Sequence, residues 1–332
     1  MIEIVGKPSP CVRKVTGFYT FDRAFVNPRG DIGVPVGAGY EVIGLNHIGK
    51  SSFVYGLSGI LAPPKGIVLC DFEGFDPNHL IRILEAVKFS GKLNILNKVD
   101  DEEQLSELIT TLKLDEYSVG ILDSIGAISP IGEQAGDLGE ANWGRRAFIL
   151  AQFIRKALHL LRFSDQPKTI IMINHWYPKI GSRGYNSPGG EAKKYLASVR
   201  LLLKRKEEFP DGSYVLEGKV VKNRWGYKDR LFYIFMLAGK GMHRGLTAMY
   251  DGIKLGKVKR DKNIKIGSNA IGYLKNIIAK AQEGDEQFFE PFYEILKDIK
   301  DGQTIENSSR RNKEDGEYTM EDDDNTLACA VD

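Results

Sequence analysis

Residues 40–51 read YEVIGLNHIGKS, and they carry the clearest structural signal in the chain. Residues 40–43 have the composition of a β-strand, and residues 44–51 match the pattern G-x-x-x-x-G-K-[ST]. Glycines in such a loop let backbone N–H groups converge on phosphate oxygens, and the N-terminus of the next helix adds a positive dipole. The stretch therefore predicts a strand, a phosphate-binding loop and a helix that begins at Lys50.

The predicted phosphate-binding residues belong to this loop and to the first turn of the helix. They are Gly44, Leu45, Asn46, His47, Ile48, Gly49, Lys50, Ser51 and Ser52. In this motif the lysine reaches the β- and γ-phosphates of a nucleotide, and the serine hydroxyl lies on Mg²⁺. We therefore expect Mg²⁺ at Ser51.

Two carboxylates further along the chain suit the same site. Asp123 ends the apolar run over residues 118–123 and is the candidate on the metal side, with capping of the next turn as the alternative. Glu73 follows the run over residues 66–71, at the carboxyl end of a strand, where open α/β sheets bind their ligands. Hydrolysis needs a group that orients or deprotonates water, and we assign this role to Glu73, with Asp71 as its rival.

Short apolar runs alternate with longer amphipathic stretches from residue 37 onward. The runs cover residues 40–43, 66–71, 93–96, 118–123 and 169–174, and helices are predicted over 50–59, 77–89, 102–112 and 143–163. This alternation predicts an α/β fold with a mostly parallel sheet flanked by helices. Runs at 199–205, 214–222 and 231–237 are expected to extend the sheet, partly as antiparallel hairpins.

Composition divides the chain into four predicted regions. Residues 1–36 form an extended lead-in and possible polymerisation segment, with core packing expected for residues 21–24, and residues 37–241 form the nucleotide-binding core. Residues 242–300 form a small basic α/β module, with a basic loop over 254–265 and helices over 269–282 and 286–299. Residues 301–332 lack hydrophobic periodicity and are expected to form a disordered acidic tail.

The overall composition is that of an ordinary globular chain. With 332 residues, 42% hydrophobic and 27% charged, it excludes collagen-like, wholly disordered and disulfide-scaffold classes. The longest strictly apolar run has eight residues, too few to span a membrane, and no secretory leader is visible. Three scattered cysteines fit a reduced, cytoplasmic protein.

Charge is distributed unevenly along the chain. Eight acidic and no basic residues lie between Glu314 and Asp332, so residues 1–313 carry +10 although the whole chain carries +2. A basic body with an acidic tail fits a protein that binds polyanions and whose tail competes for the same surface. A solvated tail that aids solubility is the alternative.

Taken in this order, the features resemble the RecA family of recombinases over about residues 15–270. The phosphate-binding loop, the segment DFEGFDP at residues 71–77 and the strand end ILDS at residues 121–124 match the family's nucleotide site. The resemblance implies a RecA-type P-loop ATPase core with ATP as the nucleotide. It also implies that Asp76 contacts adenine and that His79 stands where an aromatic ring stacks on it.

Two further parts of the chain resemble the family's contacts with the γ-phosphate. His175 stands where the family usually has a glutamine that senses this phosphate. Because imidazole titrates near neutrality, we expect ATPase activity or DNA affinity to change between about pH 6 and 8, and His175→Gln to alter this profile. VKNR at residues 221–224 resembles the basic pair that reaches the ATP of a neighbouring subunit, which implies roles for Lys222 and Arg224 in trans. The catalytic set is then Glu73, Lys50, Lys222, Arg224 and His175.

Two glycine-rich connections, at about residues 131–144 and 176–190, resemble the family's DNA-binding loops. The second interleaves cations with aromatic and apolar side chains, which suit phosphates and bases respectively. Packing within the protein is the alternative for each aromatic residue. The residues expected to contact DNA are Trp143, Arg145, Arg155, Trp176, Tyr177, Lys179, Ile180, Arg183, Tyr185, Gly189 and Gly190.

The resemblance implies an ATP-dependent homologous recombinase. Such a protein forms a helical homo-oligomeric filament on single-stranded DNA, pairs it with duplex DNA, and hydrolyses ATP to ADP and phosphate when DNA is bound. A single-strand-binding or mediator protein is a further possible partner, no membrane contact is expected, and the cytoplasm of a bacterial cell or phage-infected host is the expected location. Three alternatives stay open: a phage RecA-like single-strand annealing protein, a non-recombinase RecA-fold ATPase, and a nucleotide-switched scaffold without enzymatic activity.

Overall fold

A computed structural model describes residues 12–98, 100–129, 145–178, 185–186, 192–297 and 299 of the chain. The predicted loop over residues 131–144, most of the loop over 176–190 and the acidic tail over 301–332 lie outside these residues. Within the described ranges, no helix has both the length and the apolar character that crossing a lipid bilayer requires.

The described residues form strands and helices that are numbered in chain order. The strands are β1 (Val12–Lys14), β2 (Val34–Val36), β3 (Gly39–Gly44), β4 (Gly66–Asp71), β5 (Leu93–Leu96), β6 (Tyr117–Asp123), β7 (Thr169–His175), β8 (Tyr177–Pro178), β9 (Tyr185–Asn186), β10 (Ala197–Glu208), β11 (Tyr214–Asn223), β12 (Arg230–Leu237), β13 (Gly241–Met242), β14 (Val258–Arg260), β15 (Ile264–Ile266) and β16 (Asn269–Gly272). The helices are α1 (Tyr19–Ala24), α2 (Lys50–Leu61), α3 (Pro77–Ala86), α4 (Asp101–Lys113), α5 (Arg145–Phe163), α6 (Ala192–Leu196), α7 (Arg244–Lys254), α8 (Leu274–Glu283) and α9 (Glu290–Lys297), with a 3₁₀ turn at Gln287–Phe289.

A nine-stranded sheet in the order β13-β12-β11-β10-β3-β7-β6-β4-β5 forms the centre of the fold. The strands from β10 to β5 in this order run parallel, whereas β11, β12 and β13 pair antiparallel. Side chains alternate between the two faces: on β4, Ile67 and Leu69 join one core cluster, and Val68 and Cys70 join the other. The predicted α/β fold, with a mostly parallel sheet and an antiparallel extension, is confirmed.

Helices cover both faces of this sheet. On one face α2 and α3 bury Phe53 and Ile83, and on the other α4 and α5 bury Leu108 and Leu150. Because a helical connection returns the chain to the same starting edge, all the parallel strands end at one edge of the sheet. That edge carries the candidate site.

Residues 12–36 pack on the core instead of extending away from it. Phe21, on α1, is fully buried, and its ring contacts those of Phe25, Phe53 and Phe232. Core packing of residues 21–24 is thereby confirmed for Phe21 and Ala24. The expected extended conformation is wrong at α1, because six residues are too few for a helical hydrophobic period to show in the sequence.

The chain after Gly241 contains more regular structure than the sequence indicates. The helix α7 was not expected, and the strands β14, β15 and β16 occupy the predicted basic loop and the first residues of the predicted helix over 269–282. The predicted helix over 286–299 is a 3₁₀ turn followed by α9. Lysine and arginine side chains on these short strands leave few apolar residues to display a period of two, which explains the error.

A buried carboxylate joins α7 to α1. Asp251 is fully buried and accepts hydrogen bonds from the backbone N–H (3.1 Å) and the hydroxyl (2.7 Å) of Thr20. Thr20 lies in the first turn of α1, where N–H groups lack partners within the helix. Asp251 therefore caps this helix. Burial raises the pKa of Asp251 to about 8, although both hydrogen bonds from Thr20 act in the opposite direction.

The raised pKa of Asp251 makes stability depend on pH. Between about pH 4 and 8 the folded state binds more protons than the unfolded state, so the free energy of unfolding should fall as pH rises and level off above pH 8. Asp251→Asn should flatten this profile. At pH 9 its free energy of unfolding in urea should exceed that of the parent protein by at least about 1 kcal/mol. Asp261→Asn, on an exposed turn, is the control and should keep the parent slope. A parent-like slope in Asp251→Asn would contradict the assignment.

Candidate functional site

Four parallel strands bring the site together at their carboxyl ends. β3 ends in Gly44, β6 in Asp123 and β7 in His175, and Glu73 follows β4 by two residues. In the strand register Gly44 lies opposite His175, and Asp71 lies opposite Asp123. The cleft at this edge has a volume of about 540 Å³. It is lined by Asn46, His47, Gly49, Lys50, Ser51, Ser52, Glu73, Asp123, Ile173, His175, Arg205 and Tyr214.

The loop between β3 and α2 has a backbone that suits phosphate binding. It passes through left-handed conformations at His47 (φ 60°) and Gly49 (φ 99°), and turns of this kind form concave N–H surfaces that bind anions. A Cβ atom on Gly49 would lie 2.1 Å from the hydroxyl oxygen of Tyr214, so only glycine fits here. The helix α2 begins at Lys50, directly behind the loop, and its N-terminus favours negative charge.

Lys50 is 5% exposed, and its ammonium group lies inside the cleft. Its Nζ atom donates to the carbonyl oxygen of Leu45 at 2.8 Å and lies 3.4 Å from Nδ1 of His175. Burial lowers the pKa of Lys50 to about 8, although the charges of Glu73 and Asp123 act in the opposite direction. The cleft therefore presents a poorly solvated cation where the sequence predicts the terminal phosphates.

Two side chains hold Glu73 in place. Its Oε1 atom accepts hydrogen bonds from the hydroxyl of Ser124 and from Nε2 of His175 at 2.8 Å. Because an ionised carboxylate only accepts, Nε2 carries the proton, and Nδ1 is left to accept from Lys50. Burial is the largest influence and raises the pKa of Glu73, but the bonds from His175 and Ser124 and the charge of Lys50 together hold it below its ordinary value.

Asp123 and Ser51 place a carboxylate and a hydroxyl next to each other in the same cleft. Asp123 is 5% exposed and accepts hydrogen bonds from the hydroxyl of Tyr55, at 2.7 Å, and from Ser51. Burial raises the pKa of Asp123 in spite of these bonds. Within the described ranges, no cluster of three or more His, Cys, Asp or Glu side chains could hold a metal alone. A hydroxyl beside one carboxylate therefore fits Mg²⁺, which keeps several water ligands and shares its shell with substrate phosphates.

The predicted adenine contacts lie at the start of α3. Asp76 caps this helix by accepting from the N–H of Asn78 at 2.9 Å, and it lies 3.7 Å from Arg82. Nε2 of His79 lies 3.0 Å from the hydroxyl oxygen of Ser52. His79 therefore borders the phosphate-binding loop, and the adenine contacts of both residues stay predictions.

Two residues of the cleft, Arg205 and Tyr214, have no signal in the sequence. Cζ of Arg205 lies 4.2 Å from the centre of the Tyr214 ring, and Nη2 donates to the carbonyl oxygen of His47 at 2.7 Å. The hydroxyl of Tyr214 makes a hydrogen bond with Ser52, and burial raises the pKa of Tyr214. Neither residue is predictable from the sequence, because only the order of strands, with β10 beside β3, brings them to the loop.

A buried ion cluster links β3, β7 and α6. Glu41, on β3, is fully buried and accepts hydrogen bonds from Nδ2 of Asn174 at 2.8 Å and from Nε of Arg200 at 2.7 Å. Nζ of Lys193, on α6, lies 3.8 Å from the same carboxylate. Glu41 thus connects Asn174, which directly precedes His175, to α6, which follows the loop over residues 176–190. A glutamate inside an otherwise apolar strand is the signal that could have indicated this cluster.

Lys222 and Arg224 are not among the residues that line the cleft of their own chain. Nζ of Lys222 donates to the carbonyl oxygen of Lys194 at 2.8 Å. Arg224 is exposed on the turn after β11. Their action on a neighbouring subunit stays a prediction.

Most of the predicted DNA contacts lie outside the described residues. These are Trp143, Lys179, Ile180, Arg183, Gly189 and Gly190. The backbones of Tyr177 and Tyr185 belong to β8 and β9, which pair antiparallel, so the two arms of the predicted loop meet.

The remaining predicted DNA contacts differ in exposure. Trp176 is 5% exposed and packs with Ile43 and Leu202, so it would have to leave this cluster before it could stack on a base. Arg155 is exposed on α5, and Arg145 is exposed and lies 3.9 Å from a carboxylate oxygen of Glu102. The two arginines are thus accessible to phosphates, whereas Trp176 favours the packing alternative.

The parallel sheet, the glycine loop and the strand-end carboxylates define a nucleotide-binding protein of the P-loop class. The family model for the RecA N-terminal domain matches residues 13–243. With this match, which covers more than half of the chain, we assign the chain to the RecA family. Similar proteins include Protein RecA of a Nitratiruptor species, 27% identical over 76% of this chain and 77% of the relative. Protein RecA of Nautilia profundicola is 28% identical over 88% of this chain and 83% of the relative.

The ion cluster around Glu41 yields a prediction for stability. Glu41→Gln removes the carboxylate charge that faces Lys193 and Arg200, and breaking a buried ion pair in this way costs about 3–5 kcal/mol. The free energy of unfolding in urea should fall by this amount. Lys193→Met should cost less, because Arg200 still faces the carboxylate. Glu103→Gln, in an exposed ion pair with Lys98, is the control and should change stability by less than about 1 kcal/mol. A loss of unfolding free energy in Glu41→Gln no larger than that in Glu103→Gln would contradict the prediction.

Proposed function

We propose that the protein is an ATP-dependent homologous recombinase, which forms a filament on single-stranded DNA and promotes homologous pairing and strand exchange. Its reaction is the hydrolysis of ATP to ADP and phosphate, stimulated by DNA. Membership of the RecA family supports this proposal. The observation that carries it is the convergence of Lys50, Glu73 and Asp123 on one cleft beside a phosphate-binding loop.

Binding of the triphosphate uses the loop and the start of α2. The N–H groups of the loop and the ammonium group of Lys50 hold the β- and γ-phosphates, and Lys50 exchanges its bond to Leu45 for a phosphate oxygen. Ser51 and Asp123 would hold Mg²⁺, which when bound neutralises phosphate charge and orients the triphosphate. The side chains of His79 and Asp76 receive the adenine.

Glu73 acts on the attacking water. Its pKa lies below the ordinary value, so the carboxylate is ionised at neutral pH and can accept a proton. His175 and Ser124 both bond to Oε1, and they orient the carboxylate so that Oε2, which has no hydrogen bond to the described residues, faces the water. The two donors thus position the base without occupying its second oxygen.

His175 couples the nucleotide to DNA binding. The ring contacts both Lys50 and Glu73, so a γ-phosphate that attracts Lys50 changes the hydrogen bonds on both ring nitrogens. The second DNA-binding loop, at residues 176–190, begins at the next residue. A change at His175 therefore has a short route to the loop, as a switch that links nucleotide state to DNA affinity requires.

ATP lies between neighbouring subunits of the filament. Lys222 and Arg224 of one subunit supply positive charge to the γ-phosphate held by the next, in the manner of an arginine finger. The exposure of Arg224, and the position of both residues away from their own cleft, support this arrangement. Hydrolysis then requires an assembled filament.

DNA contacts involve several regions of the chain. The loops over residues 131–144 and 176–190 grip single-stranded DNA, and the basic module over residues 242–300 gathers duplex DNA with exposed side chains such as Lys259 and Lys262. The acidic tail over residues 301–332 competes with DNA for this basic surface. A single-strand-binding or mediator protein assists assembly in the cytoplasm of a bacterial cell or phage-infected host.

The main test measures ATP turnover with and without single-stranded DNA, together with negative-stain electron microscopy. DNA-stimulated turnover and helical filaments are expected. Formation of a displacement loop in duplex DNA then separates a recombinase from a protein that only anneals strands. A chain that stays monomeric with a non-hydrolysable triphosphate and an oligonucleotide would refute the proposal.

The trans arrangement predicts a separation of binding from turnover. Lys222→Ala and Arg224→Ala should bind nucleotide within about twofold of the parent affinity but lose at least about tenfold of the DNA-stimulated turnover, because charge on the γ-phosphate is no longer neutralised. Lys113→Ala, exposed at the end of α4, is the control for removal of a surface charge. Parent-like stimulated turnover in Lys222→Ala would rule out its role in trans.

The lowered pKa of Lys50 predicts proton uptake when nucleotide binds. At pH 8.5 most Lys50 side chains are neutral, since burial lowers the pKa to about 8, and a phosphate anion raises it again. ATP binding at pH 8.5 should take up roughly 0.7 proton per site, and almost none at pH 7. Isothermal titration calorimetry in two buffers of different ionisation enthalpy measures this number. Lys50→Arg, which stays charged, should abolish the uptake, and absence of uptake in the parent protein would contradict the assignment.

A further inference from the structure

The side chain of Arg13 joins three separate segments of the chain. Its Nη1 atom donates to the carbonyl oxygens of Phe25 (2.5 Å) and Gly33 (3.1 Å), and Nη2 donates to the carbonyl oxygen of Trp225 (2.7 Å). Phe25 and Gly33 belong to the lead-in, whereas Trp225 lies on the turn between β11 and β12. One guanidinium group therefore fastens this turn to the lead-in.

Further contacts press the same turn against the lead-in. The N–H of Tyr227 donates to the carbonyl oxygen of Val26 at 3.3 Å. A Cβ atom on Gly226 would lie 2.6 Å from that carbonyl oxygen, so the two backbones are in close contact. Within the turn, Asn223 accepts from the N–H of Trp225 at 3.1 Å. The path of the chain through Trp225 is thus defined from both sides, and Arg13 provides the long-range hydrogen bond to Trp225 itself.

Arg224 directly precedes Trp225, so the anchored turn also determines where Arg224 lies. Adjacent Cα atoms are about 3.8 Å apart, which leaves little freedom at Arg224 once Trp225 is held. The N–H of Arg224 donates to the carbonyl oxygen of Ser198 at 3.1 Å, while its side chain is exposed. The backbone of Arg224 is therefore clamped between β10 and the segment bonded to Arg13.

We propose that Arg13 is a positioning residue for the cation that Arg224 supplies to a neighbouring subunit. This inference rests on the proposed function, because it assumes that Arg224 acts in trans. The planar fork of arginine presents its donors in fixed directions and here reaches three carbonyl oxygens at once, which an apolar side chain cannot do. Loss of the guanidinium group leaves Arg224 in the chain but removes the hydrogen bond that holds the adjacent residue, Trp225.

The lead-in has other attachments, so loss of Arg13 should not unfold it. Phe18, Phe21 and Phe25 are almost completely buried, and Thr20 bonds to the buried Asp251. The expected effect of Arg13→Met is therefore on turnover and not on folding. Nucleotide affinity and KM should stay within about twofold of the parent values, and DNA-stimulated kcat should fall at least about tenfold.

Arg29→Met is the matched control, since Arg29 is an exposed arginine of the same lead-in. It should keep the parent kcat. Gly226→Ala is a second, independent variant, because its Cβ atom would displace the turn from the side of Val26. It should reproduce the kcat defect of Arg13→Met. Thermal unfolding of each variant checks that the fold is retained.

Mixed filaments provide the decisive measurement. A Glu73→Gln subunit lacks the base but supplies an intact trans cation, whereas an Arg13→Met subunit has an intact cleft. In an equal mixture a quarter of the interfaces combine the two intact halves, so DNA-stimulated turnover should recover to about a quarter of the parent rate. A mixture of Arg13→Met with Arg224→Ala has no interface with an intact trans half and should not recover.

A third mixture, Arg224→Ala with Glu73→Gln, separates the two levels of the proposal. If turnover recovers in this mixture but not in the mixture of Arg13→Met with Glu73→Gln, the role of Arg13 is wrong and the trans role of Arg224 is unaffected. Failure here would overturn the trans arrangement and the role of Arg13 with it. Parent-like kcat in Arg13→Met would also overturn the inference.

Discussion

The burial of one ammonium group beside two carboxylates is the interaction on which the site depends. Lys50 is held out of water at the start of α2, with Glu73 and Asp123 on the neighbouring strand ends. A cation in such surroundings interacts strongly with an anion because little water screens the charges. Burial lowers the pKa of Lys50, whereas the pKa of Glu73, although burial raises it, is held below its ordinary value mainly by the hydrogen bonds from His175 and Ser124, with a smaller effect of the Lys50 charge. This arrangement can be kept only if the strand ends are held rigidly together.

The antiparallel extension of the sheet contributes residues both to the cleft and to a surface outside it. β10 and β11 bring Arg205 and Tyr214 to the phosphate-binding loop, whereas Lys222, near the end of β11, and Arg224, just after it, do not line the cleft. The same pair of strands therefore supports its own cleft and, in the proposed filament, the cleft of a neighbour. Glu41 adds a charged connection from β3 to α6, so that the strand before the phosphate-binding loop and the helix after residues 176–190 share one buried cluster.

Sequence patterns predicted the parts of the fold in which local chemistry is strict. The bounds of β4 and β5 agree with the predicted runs to the residue, because a short apolar run between polar turns is typical of a parallel strand. Patterns failed at α1, β14 and β15, where the elements are short and basic residues interrupt the apolar period. The placement of Trp176 in a packed cluster was also beyond the sequence, since an aromatic residue in a loop suits either packing or stacking.

Local sequence was enough to predict the phosphate-binding loop, the strand-end carboxylates and the parallel core, because each depends on residues close together in the chain. The folded chain was needed to show that His175 bridges Lys50 and Glu73, that Arg205 and Tyr214 border the loop, and that Arg13 reaches Trp225. These contacts join residues far apart in sequence. Their formation depends on the order of strands in the sheet, which the spacing of apolar residues along the chain does not encode.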